Sequence, residues 1–197
     1  KIINHSLLIY YIYMALTETP ICNFGEPAKN FDLQSTENKK VSLQDIKGEK
    51  GTLIMFICNH CPYVKAIIKD IVEDVKYLKG LGIKSAAIMS NDVKNYPDDS
   101  FENMISFSKS HNFSFPYLID STQVIAKKYG AVCTPDFFGY NNNLELQYRG
   151  RIKELKNLKP VSAGNSDLRK AMEMVANTGK GPEEQTPSMG CSIKWFK

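Results

Sequence analysis

The apolar positions of this chain change their spacing from one segment to the next, and each change predicts an element. Residues 52–57 read Thr-Leu-Ile-Met-Phe-Ile without a charged break, the length and β-branched content of a strand buried on both faces. Directly afterwards Val64, Ile67, Ile68, Ile71, Val72, Val75 and Leu78 recur at three- and four-residue intervals, with Lys and Asp between them. That spacing predicts an amphipathic helix closed near Gly80 or Gly82. Residues 83–90 predict a second buried strand, and Ser100 is placed to cap a helix reaching about His111. The second half alternates likewise: a strand at 115–119, a short helix at 122–129 closed by Gly130, strands at 136–140 and 144–149 joined through Asn141-Asn142-Asn143, and a helix at 167–177 capped by Ser166. Upstream, residues 39–43 predict a short strand and residues 25–32 an entry loop. From Gly179 onward Pro and Gly recur, predicting an extended tail laid across the surface.

This order is that of an α/β domain with a thioredoxin-like fold, a central mixed sheet flanked by helices. A doubly wound nucleotide-binding sheet would carry a Gly-rich phosphate loop after the first buried strand; Cys58-Asn59-His60-Cys61-Pro62 stands there instead. The chain divides into an N-terminal extension (1–24), a thioredoxin-like domain (25–178) and a tail packed on it (179–197). At 197 residues, 43% apolar and 23% charged, the composition is that of an ordinary globular domain. Its net charge of +4 is scattered rather than gathered into a stripe, which argues against a nucleic-acid partner. The apolar run at residues 7–13 is too short to cross a bilayer. The preferred reading makes Met14 the natural start and the protein cytoplasmic; the alternative makes the run part of a signal peptide and the protein exported.

Five cysteines, Cys22, Cys58, Cys61, Cys133 and Cys191, form no dense disulfide framework. The close pair points to redox chemistry. A thiol at the start of a helix is acidified by unpaired N–H groups, so Cys58 is expected to be the low-pKa attacking thiolate. Cys61 is then the resolving thiol that attacks the mixed disulfide. His60, between them, would favour the thiolate as an imidazolium and tune the pair toward the oxidising end of the thioredoxin-like range, about −270 to −120 mV. A CxxC is also half of a zinc site, but no second CxxC exists, so neither metal nor cofactor is expected. The implied partners are a disulfide-containing protein or small-molecule substrate and a thioredoxin- or glutathione-type electron donor. A non-catalytic metal-binding domain is the alternative from another class.

Thr134-Pro135, just before the strand at 136–140, occupies the place of the cis-proline loop in thioredoxin folds. There the residue before the proline pairs through its backbone with an extended substrate, which makes Thr134 and Pro135 substrate-binding candidates. Cys133 is a possible third redox thiol, with burial as a small hydrophobe equally open. Packing is the favoured role for Cys191, with Trp195 anchoring the tail apolarly, and Arg149 is expected to pair with a structural acid.

The segment Phe56-Ile57-Cys58-Asn59-His60-Cys61-Pro62-Tyr63-Val64 resembles the signature of a bacterial group of peroxiredoxin-like, thioredoxin-family proteins within the redoxin (alkyl hydroperoxide reductase/thiol-specific antioxidant) superfamily. Tyr96-Pro97-Asp98-Asp99-Ser100, Cys133-Thr134-Pro135-Asp136-Phe137-Phe138, Tyr148-Arg149-Gly150 and the tail Pro187-Ser188-Met189-Gly190-Cys191-Ser192-Ile193-Lys194-Trp195 extend the likeness. The chain departs from it after Gly150, where Arg151-Ile152-Lys153-Glu154 replaces an acidic loop. The resemblance implies a redox role and leaves open an antioxidant peroxidase using Cys58. Peroxiredoxins resembling this fold carry a Thr or Ser hydroxyl three residues before the reactive cysteine. Met55 stands at that position here, so thiol–disulfide exchange is the expected reaction.

Overall fold

The structure, a computed structural model, describes residues 16–161, 164 and 166–197; the apolar run at residues 7–13 lies outside them. Strand β1 (Leu16–Glu18) is followed by β2 (Asp32–Ser35), β3 (Lys40–Ser42) and β4 (Gly51–Phe56). Next come helix α1 (Pro62–Gly80), β5 (Ile83–Met89), a 3₁₀ turn (Pro97–Asp99), α2 (Phe101–Ser110), β6 (Tyr117–Ile119) and α3 (Val124–Tyr129). The chain continues through β7 (Cys133–Thr134), β8 (Asp136–Tyr140), β9 (Leu146–Tyr148), β10 (Leu155–Lys156), β11 (Lys159–Pro160), α4 (Asp167–Thr178) and β12 (Met189–Ser192). Seven strands form the central sheet in the order β3-β2-β6-β5-β4-β8-β9, with β4–β5 and β5–β6 parallel and the other pairs antiparallel.

All six residues of β4 are buried, because both faces of the sheet are covered. Leu53 and Met55 meet Val64, Ile67, Ile71 and Val75 of α1 and Met172 of α4 on one face. Ile54 and Phe56 meet Ala86, Ile88, Leu118, Tyr129 and Phe138 on the other. Burying each such side chain contributes roughly 1.5–3 kcal/mol, so β4 and α1 form the rigid base from which the segment between them projects. Helix α4 is tied to α1 by polar contacts as well: Ser166 Oγ, its N-cap, donates to buried Asp74 of α1, and Arg169 Nε donates to the same carboxylate at 2.8 Å.

The two helices flanking β5 and the β8–β9 hairpin follow the apolar periodicity. Ser100 and Ser166 accept from the backbone N–H groups of Asn103 and Arg169, as N-caps do. Gly130 closes α3 in the left-handed conformation. Directly after the entry loop, Asp32–Ser35 is a strand that the sequence reading did not assign, paired with both β3 and β6. Directly after the segment that departs from the resemblance comes a small hairpin, β10–β11, turning through Asn157 and Leu158 at positive φ.

The largest difference lies in the tail. β12 is inserted between β1 and β7 in a second, three-stranded sheet. Gly190 permits this approach, because a Cβ there would sit 2.1 Å from the Thr134 carbonyl oxygen. Beyond β12, Lys194 N–H donates to Asn91 Oδ1 at 2.9 Å and Phe196 N–H to Gln123 Oε1 at 2.8 Å. Trp195 does not anchor this segment, since it is 37% exposed with the Lys127 ammonium 5.6 Å from its ring. Ile193, buried in the second core layer, does so instead.

Candidate functional site

Five residues separate the end of β4 from the start of α1, and they contain both cysteines of the motif. Pro62 opens the helix, where its missing N–H is no loss. The N-cap is therefore Cys61, in extended conformation. Cys58 was expected at the helix end, but it lies in the loop before it, and the acidifying backbone falls on the other sulfur.

Cys61 is fully buried among donors. Burial alone would push its thiol up. The Cys191 and Cys58 thiols and the backbone N–H groups of Val64 and Cys191 outweigh that, holding it well below the ordinary thiol range. The Thr134 carbonyl, 3.1 Å from Cys61 Sγ, favours the protonated sulfur but is one contact against four. Cys58, 1% exposed, moves the opposite way. Burial raises its pKa, and so do its hydrogen bond to Cys61 and the negative charges of Asp99 and Cys61; only the Thr134 hydroxyl, 3.3 Å from its sulfur, opposes them. Burial and the charge of Asp99 thus oppose the expected acidification of Cys58, while the donors around Cys61 favour a charged sulfur there. Thiolate absorbance followed against pH is expected to keep a charged sulfur well below neutrality in Cys58→Ser. In Cys61→Ser that signal should be lost, with Cys58 titrating no lower than an ordinary thiol. An acidic Cys58 in the second variant would contradict this assignment.

Sequence reasoning missed Asp99, which organises the loop. It comes from the 3₁₀ turn, has no exposed surface, and accepts from Asn59 N–H at 2.8 Å, His60 N–H at 3.3 Å and Asn91 Nδ2 at 2.8 Å. Its Oδ2 is 2.6 Å from His60 Nδ1. Asn59 is held further by donating to the Asp98 carbonyl and accepting from Tyr117 Oη at 3.0 Å. The one available signal was the Tyr96-Pro97-Asp98-Asp99-Ser100 segment, which carried the resemblance without a role. His60 is therefore a partner of Asp99, stacked on the Tyr96 ring at 5.8 Å. Ligand atoms of Cys58, His60 and Asp99 lie within 4.8 Å of one another, the spacing of a three-ligand metal site. Both Asp99 oxygens already accept hydrogen bonds, so a cation would have to displace them.

The Thr134–Pro135 bond is cis and its loop lies against the motif, Thr134 touching both sulfurs. The backbone of this loop is not free, however: β12 pairs with it, Cys191 opposite Thr134 and Ser192 opposite Cys133. Cys191 Sγ is consequently 2.9 Å from Cys61 Sγ, a contact that the packing role assigned from sequence did not foresee. Cys133 is buried with its thiol directed at the Pro135 carbonyl, 3.6 Å away, and burial pushes its pKa up. Cys22 is also pushed up by burial, to about 11.

A CxxC between a buried strand and a long helix, facing a cis-proline loop on a mixed sheet, defines a protein with a thioredoxin-like fold. The thioredoxin domain of a thiol-disulfide oxidoreductase from Bacteroides vulgatus shares that fold, at TM-score 0.55 and 14% identity over 68% of this chain and 89% of that one. The chain belongs to the AhpC/TSA family, whose model matches residues 24–155. It is similar along nearly its whole length to an uncharacterized conserved protein from Geobacillus kaustophilus, 38% identical at TM-score 0.88, covering 93% of this chain and 97% of that one. Among curated relatives, the thiol-disulfide oxidoreductase ResA of Bacillus subtilis (strain 168) is 26% identical over 117 residues, 59% of this chain. The match spans only about three fifths (61%) of that relative's length. No helix among the described residues is long and apolar enough to cross a membrane.

Proposed function

We propose that the protein is a thiol–disulfide oxidoreductase that exchanges electrons with disulfide-containing substrates through Cys58 and Cys61. The observation that carries the reading is the placement of the pair: both cysteines stand in the five-residue link between β4 and α1, and Thr134 of the cis-proline loop touches both sulfurs. As Cys58 attacks a substrate disulfide, its proton passes to Cys61, one substrate sulfur leaves as thiolate, and a Cys58 mixed disulfide forms. Cys61 then attacks Cys58 Sγ, the second substrate sulfur leaves carrying the proton, and a Cys58–Cys61 disulfide closes. The substrate gains two electrons and the pair loses two. Asp99 and His60 fix the loop, and Thr134 holds the two sulfurs in place from the cis-proline side. The curated relative named a thiol-disulfide oxidoreductase supports this reading; a thioredoxin- or glutathione-type thiol is the donor the chemistry calls for.

The family also contains a peroxidase alternative. Met55, three residues before Cys58, is wholly enclosed and packs in the α1 core layer, so it presents no hydroxyl to orient a peroxide. Losing preorganised polar contacts of that kind costs orders of magnitude in rate. Reduced protein is expected to react with hydrogen peroxide little faster than an ordinary thiolate, and readily with a model disulfide. Stopped-flow measurement of both reactions on one preparation tests it. Fast peroxide consumption, lost in Cys58→Ser but kept in Cys61→Ser, would overturn the assignment in favour of a peroxidase.

A further inference from the structure

The two-cysteine scheme leaves Cys191 without a task, yet the fold delivers its sulfur to the centre of the site. β12 pairs Cys191 with Thr134, the residue whose carbonyl and hydroxyl contact Cys61 and Cys58. Gly190 allows the strand to lie that close, because any side chain there would collide with the Thr134 carbonyl. Neighbouring residues lock the register: Ser188 Oγ donates to the Pro135 carbonyl at 2.8 Å, and Lys194 N–H to Asn91 Oδ1. Cys61 thus stands between two thiols, hydrogen-bonded to Cys58 on one side and 2.9 Å from Cys191 Sγ on the other. Cys133 is as deeply enclosed, but its thiol is spent on a carbonyl.

We propose that Cys191 is a third redox thiol, which takes over the protein's disulfide by converting Cys58–Cys61 into Cys61–Cys191. The proposal rests on the exchange reading of the Cys58–Cys61 pair. Cys191 attacks Cys61 Sγ in the closed pair, the Cys61–Cys191 bond forms, the Cys58–Cys61 bond breaks, and Cys58 leaves as thiolate. The proton lost by Cys191 is taken up by Cys58, whose enclosure favours its neutral form. No electrons are gained or lost, since one disulfide replaces another. The oxidising equivalents are stored one sulfur further from the attacking cysteine, and Cys58 becomes a free thiol while the protein as a whole is oxidised. A thiol donor regenerates the reduced protein by running the same exchanges backward.

The test uses the full chain equilibrated in buffers of reduced and oxidised glutathione, quenched in acid, blocked with an alkylating reagent and digested with trypsin. Cys58 and Cys61 fall within residues 51–65, and Cys191 within residues 181–194. The expected oxidised product is a cross-link between these two peptides, with fragmentation showing the block on Cys58. In Cys191→Ala, and in the near-isosteric Cys191→Ser, the disulfide should instead stay inside peptide 51–65 and Cys58 should escape the block. Oxidised wild type with an internal Cys58–Cys61 disulfide and a blocked Cys191 overturns the relay and leaves the exchange reading standing. A protein forming no disulfide among the three at any glutathione ratio overturns both.

Discussion

Replacing Arg149 with Ala is expected to destabilise the protein by about 3–5 kcal/mol, the cost of stranding a buried charge. Arg149 Nη2 lies 2.9 Å from Asp136 Oδ2, and both side chains are almost entirely enclosed. The same group donates to the Gly130 carbonyl at 2.7 Å, and the guanidinium lies over the Phe138 ring at 4.4 Å. Burial raises the Asp136 carboxyl to about 6 despite the arginine, whose charge and hydrogen bond pull it down. Without Arg149 it rises further. A folded pKa above the unfolded value, about 3.9, means that stability is fully present below that value and lost as pH rises through the folded pKa. The penalty of the substitution should therefore be large at neutral pH and shrink in acid. Denaturant titrations of wild type and variant at pH 5 and pH 8 measure it, and at neutral pH the midpoint of thermal unfolding should fall by roughly 6–20 °C. An equal, small effect at both pH values would show that Asp136 does not depend on its partner.

The sharpest functional contrast is expected between the two cysteines of the motif. On the proposed mechanism Cys58→Ser removes the attacking sulfur, so exchange with a model disulfide should fall by about three orders of magnitude or more, as when an enzyme loses its nucleophile. Cys61→Ser leaves the attack possible but removes both the base for the Cys58 proton and the resolving sulfur. That variant should react slowly and stop at a mixed disulfide on Cys58, visible as a mass increase of one substrate half. Rapid mixed-disulfide formation on Cys61 in Cys58→Ser would reverse the two roles.

Much of the architecture was legible because β4, α1 and β5 are long and strongly patterned, and their burial follows directly from their periods. The caps Ser100, Ser166 and Gly130 were readable for the same local reason. What escaped were pairings set by contacts distant in sequence. Asp32–Ser35 is too short and too polar to signal a strand by itself, and is one because β3 and β6 pair with it on both sides. Met189–Ser192 has no strand-like alternation, and owes its conformation to β1 and β7.

At the site, the identity of Cys58, Cys61 and Thr134 as neighbours was visible from spacing and order, while the distribution of charge among the sulfurs was not. That distribution turns on where α1 begins, one residue after Cys61, on the negative charge of Asp99 beside Cys58, and on the donors that Cys191 supplies to Cys61. Helix starts are among the hardest boundaries to place from sequence. A shift of three residues was enough to move the acidifying donors from one thiol to the other.

The span of the Cys61–Cys191 contact also bears on how the molecule comes into being. The two residues are 130 positions apart, and closing a loop of that length is an entropic cost met only after other contacts have formed. A chain with a formed β4 and α1 but a detached last strand would hold Cys61 without two of its four donors, the thiol and backbone N–H of Cys191. Its thiol would then be far closer to an ordinary one. The acidity of a single sulfur therefore reports on whether the ends of the topology have met, and thiolate absorbance during refolding would time the arrival of that strand.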